Sequence, residues 1–189
     1  EKFMTQAQCL IHGDLHTGSI MVNQTETYVI DPEFAFYGPM AFDIGAVIAN
    51  LFLSYASHEV RSKDPDQRAD FRQYLTDTII DVWQVFKREF QPILEQTDSV
   101  NMPHGYRSGY TLRLLQDVAG FAGCKMMRRV IGLAGVEDIR GIEDVHERAI
   151  AGSLALNMAH ALIMKRGYFY SMDDIVGIAT AARPTYPWP

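Results

Sequence analysis

The sequence predicts a mostly helical domain that opens on a small β hairpin, and three observations predict it. Residues 8–30 hold three short apolar runs separated by turn residues, the pattern of short strands. From Phe42 onward, apolar residues either fill whole turns or recur at steps of three and four, which is the helical period. Beyond Pro65, prolines fall only at 92, 103, 184, 187 and 189, leaving long stretches free to be helix.

The elements follow in order. Gln8–Ile11 reads as a strand leading into the loop His12-Gly13-Asp14-Leu15-His16-Thr17-Gly18-Ser19. Ile20-Met21-Val22 and Tyr28-Val29-Ile30 are two further strands, joined through the turn residues Asn23-Gln24-Thr25-Glu26. A hairpin lays its two ends side by side, so the loop before it (Asp14) and the loop after it (Asp31, Glu33) are expected to meet. Phe42–Ala56 is apolar nearly all round and reads as a buried helix. Asp43 falls in its first turn, where a carboxylate suits the helix dipole. Gln67–Phe90 carries Phe71, Tyr74, Leu75, Thr78, Ile79, Val82, Trp83 and Phe86 at helical spacing, a long amphipathic helix.

Gln91–Tyr106, with Pro92, Pro103 and Gly105, reads as loop. Two more long helices are expected over 108–133 and 142–165, joined by a connection near Val136–Ile139. Ser171 followed by Asp173 and Asp174 marks the N-cap of a last short helix, and 182–189 is a proline-rich tail. Residues 1–41 thus form a loop-and-hairpin segment and 42–181 a helical subdomain.

Apolar residues at 48% and charged residues at 21% are ordinary globular proportions and argue against disorder. A net charge of -6 makes nucleic acid or an anionic membrane an unfavourable partner. Any phosphate must then be held by a local arrangement of cations. The longest apolar stretch, 42–55, contains Asp43 and Asn50 and is too short to span a bilayer. Cys9 and Cys124 stand in no metal-ligand spacing and read most simply as free thiols. With no apolar segment behind Glu1-Lys2-Phe3-Met4-Thr5, no signal peptide is expected, and the cytoplasm is the default location. The chain reaches its first strand and loop without an initiator methionine, which points to a piece of a larger protein.

The chemistry-bearing residues are three acids on the two loops that the hairpin brings together: Asp14, Asp31 and Glu33. Phosphoryl transfer from ATP asks for such a set. One carboxylate orients the attacking hydroxyl and accepts its proton, and others hold Mg²⁺ against the phosphates. Asp14 suits the first task, and Asp31 and Glu33, with Pro32 stiffening the backbone between them, suit the second. Gly13 permits a bend beside the acid. Taken singly, each Asp after a strand is as well explained as a turn or cap residue; it is the conjunction that points to catalysis. Arg128 and Arg129 complement the dipole at a helix C-terminus. Neighbours on a helix point about 100° apart, so both can face one ligand only where the helix ends.

His12-Gly13-Asp14, followed by strand, turn, strand and acid, resembles the catalytic and metal loops of the aminoglycoside phosphotransferase and choline kinase group. The longer strings His12–Ile20, Asp31–Pro39 and Lys125-Met126-Met127-Arg128-Arg129 are similar to those of the methylthioribose kinases. The resemblance implies the C-terminal lobe of a protein-kinase-like α+β fold, with its N-lobe upstream of Glu1. It implies an enzyme of methionine salvage, with Mg²⁺ as cofactor and ATP as co-substrate, that phosphorylates the C1 hydroxyl of 5-methylthioribose to 5-methylthioribose 1-phosphate and ADP. Asp14 is implied as catalytic residue and substrate contact, Asp31, Glu33 and Ser19 as metal ligands, and Arg128, Arg129 and His16 as substrate contacts. His12, Gly13 and Asp43 are implied as supports of the loop, and the protein as a homodimer. Ser19 stands where the wider group has a metal-binding Asn, and Asp31-Pro32-Glu33 adds a second acid to the usual metal loop. No glycine-rich phosphate cover and no strand lysine occur within 1–189, so the chain alone is expected to be inactive. Two rivals stay open: a kinase for another small alcohol such as an aminoglycoside, choline or homoserine, and a non-catalytic module that keeps only the fold.

Overall fold

The computed structural model describes residues 1–97 and 104–185. A short helix α1 (Lys2–Thr5) precedes strand β1 (Cys9–Ile11) and a 3₁₀ turn at Thr17–Ser19. Strands β2 (Ile20–Val22), β3 (Thr27–Val29) and β4 (Phe36–Gly38) follow. Then come helices α2 (Ala41–Arg61), α3 (Pro65–Thr97), α4 (His104–Ile131), α5 (Glu137–Arg140), α6 (Val145–Met164) and α7 (Met172–Ala181), with a 3₁₀ turn at Arg166–Tyr168. The chain is mostly helical with two small antiparallel sheets, the class the sequence predicts.

β2 and β3 form the expected hairpin, in register Ile20↔Val29, Met21↔Tyr28 and Val22↔Thr27. β1 does not join it. It pairs with β4 instead, as Cys9↔Gly38, Leu10↔Tyr37 and Ile11↔Phe36. The hairpin and both acid loops are therefore enclosed between two paired strands, which holds the ends of segment 12–35 together. β4 was not expected, because three residues after Asp31-Pro32-Glu33 carry no alternation long enough to read, and their partner is distant in sequence.

α2 is the central helix. Ile48, Ala49, Phe52, Leu53 and Ala56 are fully buried, as the all-round apolar pattern requires. Burial of each large side chain there stabilises by about 1.5–3 kcal/mol. α4 and α6 pack on it through Val118, Ala122 and Met126, and through Leu154, Ala155 and Met158. Two glycines set how closely α4 lies. A Cβ at Gly45 of α2 would meet the carbonyl oxygen of Val118 at 2.9 Å, and one at Gly123 of α4 would meet that of Ala159 at 2.7 Å. Backbone stands against backbone at both crossings, so α4 is wedged between α2 and α6 with no room for a methyl group.

The expected loop over 91–106 is in part helix, because α3 runs on through Pro92 to Thr97 and α4 begins at His104. A proline removes one N–H and crowds the carbonyl four residues back, but burial of Leu94 beyond it holds the last turn in place. The middle of that expected loop, 98–103, lies outside the described residues, as does the end of the expected tail, 186–189. Ser171 caps α7 as expected: its hydroxyl accepts from the Asp174 N–H and the Asp174 carboxylate accepts from the Ser171 N–H, a reciprocal capping box. Cys9 and Cys124 are free thiols. Among the described residues no helix is long and apolar enough to cross a membrane.

Candidate functional site

The loop after β1 is anchored from below by α2. Asp43 is buried, and its carboxylate accepts from the His12 N–H at 2.6 Å and the Gly13 N–H at 3.2 Å. Two backbone donors that a tight loop would otherwise leave unpaired are satisfied by one charged acceptor, the stronger kind of hydrogen bond. Thr17 adds a second tie to α2 by donating to the side-chain oxygen of Asn50 at 3.3 Å.

His12 stitches the two acid loops together. Its Nδ1 accepts from the Asp14 N–H at 3.3 Å while its Nε2 lies 2.8 Å from the Ile30 carbonyl, so the ring is the Nε2–H tautomer. With both nitrogens occupied, His12 is a member of the scaffold. Gly13 takes φ +85, and a Cβ there would lie 2.2 Å from the Phe34 carbonyl oxygen. Only glycine fits this position, because the backbone of the second loop rests directly on it.

Asp14 is held by three cationic or polar neighbours. The Lys125 ammonium donates to Oδ1 at 2.6 Å and an Arg129 Nη lies 3.5 Å from the same oxygen, while His16 Nε2 lies 3.8 Å from Oδ2. The Asp14 side chain is 30% exposed and that of Lys125 only 4%. Burial by itself pushes the Asp14 carboxyl up. The hydrogen bond and charge of Lys125, with His16 and Arg129 behind them, outweigh that and hold it below the usual aspartate value. The acid is thus ionised across the physiological range.

His16 is positioned by its own loop: Nδ1 accepts from the Gly18 N–H at 3.0 Å. Ser19 is 4% exposed, and its hydroxyl lies 3.5 Å from the Asp14 carbonyl and 3.4 Å from His16 Nε2. The second loop is the more open. Asp31 and Glu33 are both exposed, with no ion-pair partner among the described residues. Asp31 has φ +66, the only non-glycine residue with positive φ among those described. An aspartate tolerates that conformation better than most residues but at a cost of roughly 1 kcal/mol, and strain of this kind gathers at functional sites. Two free carboxylates separated by one stiff proline suit Mg²⁺, which takes one or two protein carboxylates and completes its shell with water and phosphate. No group of three acids, histidines or cysteines forms a closed metal cage among the described residues.

The arginine pair divides. Arg129 turns toward Asp14, donates to the Ala134 carbonyl at 3.3 Å, and has a buried Nε with no hydrogen-bond partner among the described residues. Arg128, one residue earlier, is exposed. α4 continues to Ile131, so the 100° between neighbours keeps the two guanidinium groups apart. Tyr37 is also exposed, on β4, while Phe36 packs edge-on against Phe3.

Sequence reasoning missed the role of Lys125, which it took only as part of a family string. A physical signal was present: Val118, Ala122, Lys125 and Arg129 share one face of α4, and Val118 and Ala122 are fully buried. A lysine on a core face almost always has an anionic partner. Two cavities, of about 430 Å³ beside Trp83 and Arg107 and about 650 Å³ beside Val130 and Arg148, lie away from the acid loops. Neither cavity is lined by Asp14, Asp31 or Glu33.

The family model of the phosphotransferase enzyme family matches residues 2–85, which span both acid loops, α2 and α3 as far as Val85. The chain is 44% identical over 187 residues to a methylthioribose kinase of Escherichia coli O45:K1, covering 93% of this chain and 45% of that protein. The chain is similar to the phosphotransferase enzyme family over those residues. Other similar proteins are methylthioribose kinase 1 of Oryza sativa subsp. japonica, 40% identical over 92% of this chain and 44% of its own length, and methylthioribose kinase of Geobacillus kaustophilus, 42% identical over 92% of this chain and 42% of its own. The chain thus spans less than half the length of these curated relatives.

Proposed function

We propose that this chain supplies the acid loops of an ATP-dependent kinase that phosphorylates the C1 hydroxyl of 5-methylthioribose. The observation that carries the proposal is the state of Asp14: an ionised carboxylate, clamped by α2 and α4, one backbone contact away from a strained loop bearing two free acids. The similarity to methylthioribose kinases directs the choice of acceptor.

In this reading Asp14 orients the acceptor hydroxyl and takes its proton as the new oxygen–phosphorus bond forms at the γ-phosphate and the bond to the β-phosphate oxygen breaks, releasing ADP. Asp31 and Glu33 would hold Mg²⁺, which offsets charge on the transferring group. Ser19 is the weakest of the three ligands proposed, since it would have to turn its hydroxyl away from the Asp14 carbonyl. Arg129 and His16 flank the reacting carboxylate and are assigned to the sugar. Arg128 reaches the same substrate only from the far side of the helix end. The glycine-rich cover and strand lysine for the ATP phosphates are assigned to a part of the protein outside residues 1–189.

The test is ATP consumption by the full-length protein with methylthioribose and with a panel of aminoglycosides, choline and homoserine. Turnover confined to methylthioribose is expected. A preference for another alcohol would replace the acceptor, and no Mg²⁺-dependent turnover with any of them would leave only a kinase-like module.

A further inference from the structure

We infer that Lys125 is a positioning residue that grips the Asp14 carboxylate by Oδ1 and so makes Oδ2 the oxygen that takes the substrate proton. The inference rests on the assignment of Asp14 as the base. Both strong cations approach the same oxygen, Lys125 at 2.6 Å and Arg129 at 3.5 Å. Among the described residues no hydrogen bond reaches Oδ2, whose ion-pair neighbour His16 lies at 3.8 Å, beyond hydrogen-bonding reach. A carboxylate held by one oxygen keeps the lone pairs of the other available in a fixed direction.

The grip is rigid. Lys125 is almost wholly buried, its ammonium lies 5.8 Å from the centre of the Phe42 ring, and the bond to Asp14 is its only hydrogen bond among the described residues. The helix carrying it has no play, because Gly45 and Gly123 bring α4 into backbone contact with α2 and α6. Asp14 is held from the opposite side, through Asp43 and the His12 and Gly13 amides.

An ammonium bonded to a base weakens it as a proton acceptor, so the arrangement must return something else. Phosphoryl transfer through a loose transition state asks little basic strength of the protein and a great deal of orientation. A fixed, ionised, weakly basic carboxylate suits that demand better than a mobile stronger one. The groups facing Asp14 are Lys125 and Arg129 from α4 and His16 from its own loop, with Asp43 and His12 one hydrogen bond behind. Lys125 is the nearest of the charges.

The experiment uses the full-length protein carrying Lys125→Met or Lys125→Arg. Two quantities are read: kcat and KM across pH, and the Asp14 carboxyl titration by ¹³C NMR on folded protein. Lys125→Met should lower kcat about 10- to 100-fold with KM for ATP unchanged. Its acid limb and carboxyl midpoint should move up together. Lys125→Arg, which keeps the charge, should recover part of kcat and most of the midpoint. If Lys125→Met does not fold, Lys125→Gln replaces it with the same expected rise. The carboxyl titration needs no acceptor, so a raised midpoint upholds the grip on Asp14 even if methylthioribose proves to be the wrong substrate. An unmoved midpoint, or a Lys125→Met enzyme with full kcat and an unmoved acid limb, overturns the inference even if methylthioribose is the right one.

Discussion

Removing either partner of the Asp14–Lys125 pair deletes the same ion pair, yet the two deletions should differ sharply in stability. Asp14→Asn keeps the shape of the side chain but leaves a lysine that is 4% exposed with no anion, and Arg129 beside it adds like charge. Breaking a fully buried pair in this way costs about 3–5 kcal/mol. Because the Asp14 side is 30% exposed and admits some water, the low end is expected, about 3 kcal/mol. Lys125→Met keeps the apolar stem and leaves a carboxylate that still has Arg129 and solvent, so about 1 kcal/mol or less is expected. The Tm shift per kcal/mol falls with chain length, so in the full-length protein the ratio is the useful quantity: Asp14→Asn should lower Tm at least about three times as much as Lys125→Met. The double substitution should be more stable than Asp14→Asn alone, since the stranded charge is gone. Calorimetry on the four full-length proteins at neutral pH measures all three differences. Equal losses for the two single variants, or strictly additive losses in the double, would refute the argument that Lys125 is the costly member to strand.

Other outcomes follow from the same geometry. Asp14→Asn should lower kcat at least about 100-fold while sparing ATP binding, and retention of more than a tenth of turnover would remove Asp14 as base. Asp31→Asn and Glu33→Gln should each raise the Mg²⁺ concentration needed for half-maximal rate, because each supplies one of two open carboxylates; an unmoved metal titration for both would place the ligands elsewhere. The folded-state value of Asp14 lies below the ordinary aspartate value, about 3.9. Its contribution to stability is therefore complete above that value and is lost as pH falls through the lower one. Acid unfolding of Asp14→Asn should lack this component, which titration of stability between pH 5 and 2 would reveal. Residues 1–189 expressed alone should self-associate and lack turnover, because Met21, Val22, Tyr28, Val29 and Ile30 stand exposed together on the hairpin. Sedimentation as a monomer at every concentration would count against that.

What could be read from the sequence was whatever is written in local pattern. The hairpin is spelled by two apolar triplets around Asn23–Glu26, α2 by its unbroken apolar run, and the α7 cap by Ser171 and Asp174. These features need no knowledge of a distant partner. The pairing of β1 with β4 does need it, and so does the meeting of Lys125 with Asp14, 111 residues apart. The end of α3 was misjudged because Pro92 is a local stop, whereas burial of Leu94 is a tertiary effect that overrides it. In the site, the acids were legible because loops that follow strands are where such residues are sought. Lys125 was hidden inside a helix that otherwise reads as core, and only its position on the Val118–Ala122 face distinguishes it.

The contact of Gly13 with the Phe34 carbonyl has a mechanical consequence. At Gly13 there is no side chain between the two acid loops to act as a cushion, and close-packed backbone hardly compresses. The loops therefore behave as one stiff link, pinned at one end by Asp43 and joined again where the His12 ring meets the Ile30 carbonyl. A push on the Asp31–Glu33 side reaches Asp14 at nearly full amplitude, with no slack to be taken up first. Whatever occupies the second loop thereby bears on the backbone beneath Asp14, while Lys125 holds the carboxylate itself.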